Sequence, residues 1–433
     1  MKLPFASWLL VSVLIFSGCK KEQKIYDLVV QRPDFSRYIA VGNSITAGFS
    51  NGGLYVEGQQ FAYPNIIAQQ FKKVGGGDFY TPFFPAEQSN GSGYLRLAGF
   101  NPDGSPVITQ VTDKLAIRGQ VAVPGFGNVT LYTKYGGPIN NYGVPGMKVQ
   151  QITYAPLGNL NGYYERLLPA QAGENTTTYL DFVTSKPFTF FSCWLGSNDA
   201  LGYARAGGEG DSLTDKATFA GLYNLAVNNL TKTGARGVLV TVPDVSSLAF
   251  LSTITIPALL EGVKKVNPSI NAIYIRALNP ATGAVITRAA TNYDLVSIEF
   301  KTSELGTTVN GLPGYGLSPV NPLSGKVILD SAEVARVRDY TASYNATIKS
   351  IASMKALALF DSYDLLNRVK NGINLDGVYV NSTYITGGVF SLDGVHLTQR
   401  GNAITANEII RAINKKYYTH IPVVDASKYR DLP

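Results

Sequence analysis

Hydrophobic and polar positions divide the chain into nearly continuous apolar runs and segments with helical spacing. The apolar runs are typical of strands buried on both faces of a parallel sheet, and they begin near Tyr38, Pro187, Gly237 and Ala356. The helical spacing predicts helices over about 61–73, 215–233, 331–352 and 399–416. Strands that alternate with helices predict an α/β fold built from right-handed crossovers, with functional sites beyond the carboxyl ends of the strands.

Two long segments, about 75–135 and 248–325, are rich in Gly and Pro and lack a sustained helical period. They are interpreted as irregular or β-rich insertions into the α/β core. The first contains an aromatic cluster, and we weigh a role in a substrate cleft against packing on the core. Packing is the favoured interpretation for Phe79, Tyr80, Phe83 and Phe84.

The N-terminus combines one Lys, an apolar run too short to span a bilayer, and small residues before Cys19. The stretch Phe16-Ser17-Gly18-Cys19 resembles a bacterial lipobox, so residues 1–19 are predicted to be a lipoprotein signal peptide ending at a lipidated Cys19. An ordinary signal peptide is the alternative. Residues 20–36 then form a tether to a domain over 37–433, and the protein is expected in the cell envelope, anchored to a bacterial membrane, with the outer membrane favoured.

Composition narrows the functional classes. The net charge of +7 comes from scattered Lys and Arg rather than basic clusters, which argues against nucleic-acid binding. Cys193 is the only cysteine besides Cys19, so lipidation would leave neither a disulfide nor a cysteine-based metal site. A hydrophobic content of 45% is ample for a large core, and no later segment is apolar enough to span a membrane.

Polar residues with catalytic potential follow several strand ends. Ser44 comes directly after the strand that begins at Tyr38, where it is either a turn or cap residue or a nucleophile. His396 is either an ordinary loop histidine or the base for Ser44, because Asp393 precedes it by three residues and can accept the imidazole Nδ1 proton. The only other histidine, His420, has no nearby carboxylate and is expected to be a tail residue.

Acyl transfer also requires donors for the oxyanion that develops on the substrate. Gly146 lies in a turn where a missing side chain lets the backbone N–H approach the substrate, and Asn198 offers an uncharged amide at a strand end. Either residue alone is more often a plain turn or cap residue.

Four short blocks, "GNSITAG", "NYGVPG", "GSND" and "DGVH", occur in this order, each next to a predicted element end. Together they resemble the blocks of the SGNH, or GDSL, hydrolase family. The resemblance implies a three-layer, flavodoxin-like sandwich with a mainly parallel sheet and no metal or organic cofactor. It implies Ser44 as nucleophile, His396 as base, Asp393 as its orienter, and Gly146, Asn198 and the Ser44 backbone N–H as oxyanion donors.

One position departs from the family's usual Gly-Asp-Ser, since Asn43 stands where Asp is common. That Asp is not part of the family's triad, so the catalytic set remains complete. The resemblance therefore implies a serine esterase or lipase acting on acylated glycans or lipids. A non-catalytic glycan- or lipid-binding lipoprotein is the alternative, whereas no carboxylate pair stands out for a glycosidase. Oligomeric state is not predicted.

Overall fold

A computed structural model describes residues 32–102 and 104–432. The predicted signal peptide, Cys19 and most of the tether lie outside the described residues. Strands in the described part are β1 (Tyr38–Gly42), β2 (Tyr94–Phe100), β3 (Pro106–Val111), β4 (Ile117–Val123), β5 (Gly127–Tyr132), β6 (Asn141–Gly143), β7 (Phe190–Trp194), β8 (Arg236–Val240), β9 (Tyr274–Leu278), β10 (Val285–Ala289), β11 (Leu295–Val296), β12 (Ile328–Leu329), β13 (Ala358–Phe360), β14 (Ile373–Leu375) and β15 (Val378–Val380).

Helices in the same part of the chain are α1 (Ser44–Ala47), α2 (Val56–Gln60), α3 (Tyr63–Lys72), α4 (Leu157–Leu160), α5 (Gly162–Glu165), α6 (Tyr179–Thr184), α7 (Ser197–Arg205), α8 (Lys216–Thr231), α9 (Ala249–Ser252), α10 (Ile256–Val266), α11 (Ser331–Met354), α12 (Ser362–Lys370) and α13 (Gln399–Tyr417). The four helices predicted from the sequence correspond to α3, α8, α11 and α13.

A single parallel sheet forms the centre of the fold, with its strands in the order β13-β8-β7-β1-β6. Numbered by their sequence in the chain, the five strands have the 2-1-3-4-5 order of flavodoxin-like folds. In that order, the direction in which successive strands are added reverses between β1 and β7, while the strands stay parallel. Every residue of β1 and β7 is buried, as their continuous apolar runs predict. The α/β fold with a parallel sheet is therefore confirmed.

Helices cover both faces of this sheet and complete the three layers. Helix α13 packs against α3 and against β8 and β13, while α8 and α11 pack against each other on the opposite face. Leu230 and Ile348 from the α8–α11 layer join Ile410 from α13 in one continuous core with the strands.

The register of the sheet sets up the site. Gly42 at the carboxyl end of β1 lies beside Gly143 of β6 on one side and Trp194 of β7 on the other. The loops that leave these three strands therefore start next to each other, at the point where strand order reverses. Ligand sites in open α/β sheets lie in this kind of crevice.

Both long insertions contain regular structure. The first contains two antiparallel hairpins, β2–β3 and β4–β5, in agreement with the β-rich interpretation. The second contains the β9–β10 hairpin and also helix α10, which the sequence pattern did not predict. Ile256 at the start of α10 packs with Ile275 of β9 in a small separate apolar cluster, so this insertion has its own core.

Among residues 32–102 and 104–432, no helix is both long and apolar enough to cross a membrane. Cys193 lies fully buried in β7, where burial raises the pKa of its thiol to about 12. A buried neutral thiol of this kind acts as a small apolar side chain.

Candidate active site

Ser44 stands at the junction of β1 and α1. It is the first residue of α1, and the Asn43 side chain caps the helix by accepting the Ile45 N–H at 3.3 Å. A side chain at position 42 would come within 2.1 Å of Thr46 Oγ1 and 2.8 Å of the Trp194 carbonyl oxygen. Only glycine fits at that position, which explains Gly42 at the end of the buried strand.

His396 reaches Ser44 from the loop before α13. Its Nε2 lies 2.8 Å from Ser44 Oγ, and its Nδ1 lies 2.7 Å from Asp393 Oδ2. The backbone N–H of His396 also donates to Asp393 Oδ1 at 2.8 Å, so the two residues share one tight turn. A hydroxyl, an imidazole and a carboxylate are thus joined in one hydrogen-bonded chain, the arrangement that activates a serine nucleophile.

The carboxylate of Asp393 accepts further hydrogen bonds besides those from His396. It accepts hydrogen bonds from the backbone N–H groups of Gly52 at 2.8 Å and Val395 at 2.9 Å, and from Ser391 Oγ at 3.1 Å. Burial alone would raise the pKa of Asp393, but the charge and hydrogen bonds of His396 and the backbone donors outweigh it and hold the pKa well below its ordinary value. Asp393 therefore stays ionised and fixes the His396 ring.

Gly146 follows β6 and Asn198 follows β7, and both line the same cleft as Ser44. Gly146 has a φ of +81°, a left-handed conformation that favours glycine. Asn198 donates from Nδ2 to the Met147 carbonyl at 3.0 Å, and its second amide hydrogen has no partner within the described part of the chain. The arrangement offers uncharged donors next to the serine.

Asp199 holds the Gly146 turn against α7. Its carboxylate accepts the Val149 N–H at 2.9 Å and the Thr214 hydroxyl at 2.6 Å. Burial raises the pKa of this carboxyl to about 6, an effect only partly offset by the Thr214 hydrogen bond. Because Asn198 and Asp199 are adjacent and both bind residues 147–149, one turn of α7 positions the whole loop that contains Gly146.

A cleft of about 570 Å³ opens in front of Ser44 and His396. An aromatic row forms one wall, in which Tyr132 stacks on Tyr163 at 4.5 Å, Tyr163 meets Phe49 edge-on, and Phe49 lies 4.7 Å from the His396 ring. Phe126 also lines this cleft. The volume is in the usual range for sites that bind small organic ligands.

The aromatic cluster considered in the sequence does not contribute to this wall. Phe79 stacks on Tyr38 with centroids 5.0 Å apart, and Phe84 packs under the Arg166 guanidinium at 4.2 Å. None of Phe79, Tyr80, Phe83 and Phe84 is among the described residues that line the cleft. The contacts of Phe79 and Phe84 agree with the packing interpretation, whereas Tyr80 and Phe83 are exposed.

The structure therefore brings Ser44, Asp393, His396, Gly146 and Asn198 to one crevice, and it leaves His420 exposed beyond α13. Sequence reasoning missed the supporting groups Gly52 and Phe49. The signal for the first was present in the turn sequence Asn51-Gly52-Gly53, but nothing in that sequence indicates that its N–H meets a carboxylate 341 residues away. Phe49 carried no signal distinct from a core aromatic.

The sequence and the fold can be compared with those of known proteins. No curated protein matches the sequence significantly. Among solved structures, the fold is similar to an alpha/beta hydrolase enzyme from the metagenome of Lake Arreo, Spain, at 10% identity and a TM-score of 0.38, covering 88% of this chain and 96% of the other. It is also similar to an acetyl xylan esterase from Geobacillus stearothermophilus, at 11% identity and a TM-score of 0.37, covering 91% and 98%.

The family comparison covers most of the chain. The model of the GDSL-like lipase/acylhydrolase family matches residues 38–409, a span that includes β1 through most of α13. The chain belongs to the GDSL-like lipase/acylhydrolase family and is a hydrolase that cleaves ester bonds.

Proposed function

We propose that this protein is a serine esterase of the cell envelope that cleaves carboxylic esters through an acyl-enzyme on Ser44. The observation that carries the proposal is the hydrogen-bonded chain from Ser44 Oγ to His396 Nε2 at 2.8 Å and from His396 Nδ1 to Asp393 Oδ2 at 2.7 Å. A serine without such a base is a weak nucleophile near neutral pH.

The reaction proceeds in two halves. Ser44 Oγ attacks the ester carbonyl while His396 Nε2 takes its proton, and the tetrahedral intermediate collapses when His396 returns that proton to the leaving alkoxide. Water then attacks the acyl-enzyme with His396 again as the base, which releases the acid and restores Ser44. Asp393 stays ionised throughout, orients the ring and stabilises the imidazolium.

The oxyanion of each intermediate is bound by the backbone N–H groups of Ser44 and Gly146 and by the side-chain amide of Asn198. The free hydrogen on Asn198 Nδ2 supports this role, as does the hydrogen bond that fixes its other hydrogen on Met147. Donors held in place before the reaction stabilise developing charge without reorganisation.

Placement in the envelope rests on the N-terminal sequence, where Phe16 to Cys19 resembles a lipobox. Metabolic labelling with an alkynyl fatty acid tests it. Label that depends on Cys19 and is lost in Cys19→Ala supports the anchor, whereas label retained in Cys19→Ala contradicts it.

A fluorophosphonate probe tests the nucleophile directly. The protein without residues 1–19 should be labelled and should hydrolyse short p-nitrophenyl esters, and both signals should be lost in Ser44→Ala. Ser185→Ala is the matched control, because Ser185 is exposed at the end of α6 and bonds only to its own helix. A folded wild-type protein that shows neither signal would refute the esterase and favour a glycan- or lipid-binding role.

A further inference from the structure

We infer that the cleft accepts an acylated glycan, and that Phe126, at the tip of the β4–β5 hairpin, stacks on a sugar ring of that substrate. This inference rests on the proposed esterase and specifies its substrate class. It arises from the first insertion, whose second hairpin forms one side of the cleft.

The hairpin is fixed firmly enough to act as a binding surface. Arg118 of β4 pairs with the fully buried carboxylate of Glu165 at 2.6 Å and also donates to the Tyr132 carbonyl at 3.0 Å. A side chain at Gly162, the first residue of α5, would come within 1.8 Å of the carbonyl oxygen of Thr130 in β5. Helix α5 therefore lies directly against the backbone of β5. The tip of the hairpin is thus presented from a rigid base.

Residues along and just before β5 line the cleft, namely Phe126, Asn128, Val129, Thr130 and Tyr132. Successive side chains of a strand point to opposite faces, so Asn128, Thr130 and Tyr132 form one face of β5, and Phe126 lies in the turn that precedes them. Phe126 is 67% exposed, an unusual position for a large aromatic that no core contact requires. The C–H groups of a sugar ring fit the electron-rich face of such a ring.

Polar side chains on the same face suit neutral hydroxyl groups. Asn128 is exposed and Thr130 half-buried, and within residues 32–102 and 104–432 neither side chain has a hydrogen-bond partner. An amide and a hydroxyl can each donate to and accept from the hydroxyls of a glycan. These groups also interrupt the apolar lining that a long acyl chain would need.

The charges in the cleft argue against a phospholipid headgroup. The cleft contains the cationic side chains Lys148 and Arg205, and both are already paired among the described residues. Lys148 Nζ lies 2.5 Å from Asp211 Oδ1, and Arg205 pairs with Glu299 at 3.0 Å. A phosphate would therefore have to compete with carboxylates for both cations.

Kinetics on three substrates test the inference. We compare p-nitrophenyl acetate, an O-acetylated xylo-tetrasaccharide and p-nitrophenyl palmitate in mixed micelles. Phe126→Ala should lower kcat/KM for the tetrasaccharide through a higher KM, by about fivefold more than for p-nitrophenyl acetate, as expected for one lost stacking contact. The matched control is Phe100→Ala, because Phe100 is 53% exposed in the same insertion but does not line the cleft.

A binding measurement separates this inference from the esterase itself. In a Ser44→Ala background, calorimetry should show that Phe126→Ala weakens binding of the O-acetylated tetrasaccharide severalfold while Phe100→Ala does not. Equal affinities for the two variants would overturn the glycan contact even if p-nitrophenyl acetate is turned over. A preference for palmitate that Phe126→Ala abolishes would overturn it in favour of a lipid. Failure of the wild type on all three esters would instead refute the proposed esterase, with the binding result still deciding the glycan contact.

Discussion

The carboxylate of Asp393 accepts the backbone N–H of Gly52 at 2.8 Å, which ties the turn that contains His396 directly to the segment that follows Ser44. Asn51 strengthens this tie by donating its N–H to Ser391 Oγ and accepting the Leu392 N–H, both at 2.9 Å. The distance between Ser44 and His396 is thus set by contacts between their own loops. Accurate placement of this kind is what catalysis by positioned groups requires.

Replacing Asp393 tests that connection. We expect Asp393→Asn to fold but to lose about 10²- to 10⁴-fold in kcat, because an amide neither fixes the required His396 tautomer nor stabilises the imidazolium. Steady-state kinetics on p-nitrophenyl acetate measure the loss. Asp425→Asn, at an exposed helix cap near the C-terminus, is the control and should match wild type. A kcat within twofold of wild type in Asp393→Asn would contradict the role of Asp393.

The proposed oxyanion donor, Asn198, makes a prediction that separates substrate binding from chemistry. We expect Asn198→Ala to lower kcat by about 10²- to 10³-fold with little change in KM, because its amide acts mainly on the charge formed in the transition state. The control is Asn371→Ala, since Asn371 is exposed at the end of α12 and bonds only within that region. A rise in KM with unchanged kcat would assign Asn198 to substrate binding instead.

The residue before the nucleophile contributes through its cap. Asn43 accepts the Ile45 N–H, so Asn43→Ala should lower the free energy of unfolding by about 1 kcal/mol. Asn43→Asp retains an acceptor at the same place and should keep the cap. Urea unfolding of wild type, Asn43→Ala and Asn43→Asp measures the order of their stabilities. Equal stability of the Ala and Asp variants would show that the cap has no effect.

Asp199 predicts a pH dependence of stability. Its folded-state pKa of about 6 lies above the ordinary 3.8, so between these values the folded protein binds more protons than the unfolded chain. The contribution of Asp199 to the free energy of unfolding is therefore complete below about pH 3.8 and is lost as the pH rises through about 6. Across this window wild type should lose up to about 3 kcal/mol relative to Asp199→Asn.

Chemical denaturation of wild type and Asp199→Asn at several pH values checks this difference. A difference in the free energy of unfolding between the two proteins that stays constant with pH would contradict the prediction. The sign is informative, because a carboxylate stabilised by a charged partner would produce the reverse trend.

The sequence predicted most of the central sheet, because strands buried on both faces leave continuous apolar runs such as those of β1 and β7. It also predicted the residues brought together at the site, since Ser44 and Asn198 follow strand ends and His396 precedes the last helix. Strand β6 was not predicted because Asn141 to Gly143 form no apolar run, and α10 was missed although its apolar residues have helical spacing.

What could not be predicted depends on contacts between distant backbones. The hydrogen bond from the Gly52 N–H to Asp393 and the exposed position of Phe126 both depend on how loops meet in space. Neither leaves a periodic pattern in the sequence. The hairpin made by β4 and β5 illustrates the same limit, since its strands are visible as alternating residues but its place beside the cleft follows from the Arg118 and Glu165 pair.

The 352 residues that separate Ser44 from His396 have a consequence for biosynthesis. Ser44 is synthesised before His396, so a chain that stops between them holds only half of the proposed catalytic pair. In the proposed mechanism, hydrolysis requires the loop before α13 to lie against Ser44. Appearance of activity in a refolding experiment therefore reports that these two distant segments have come together.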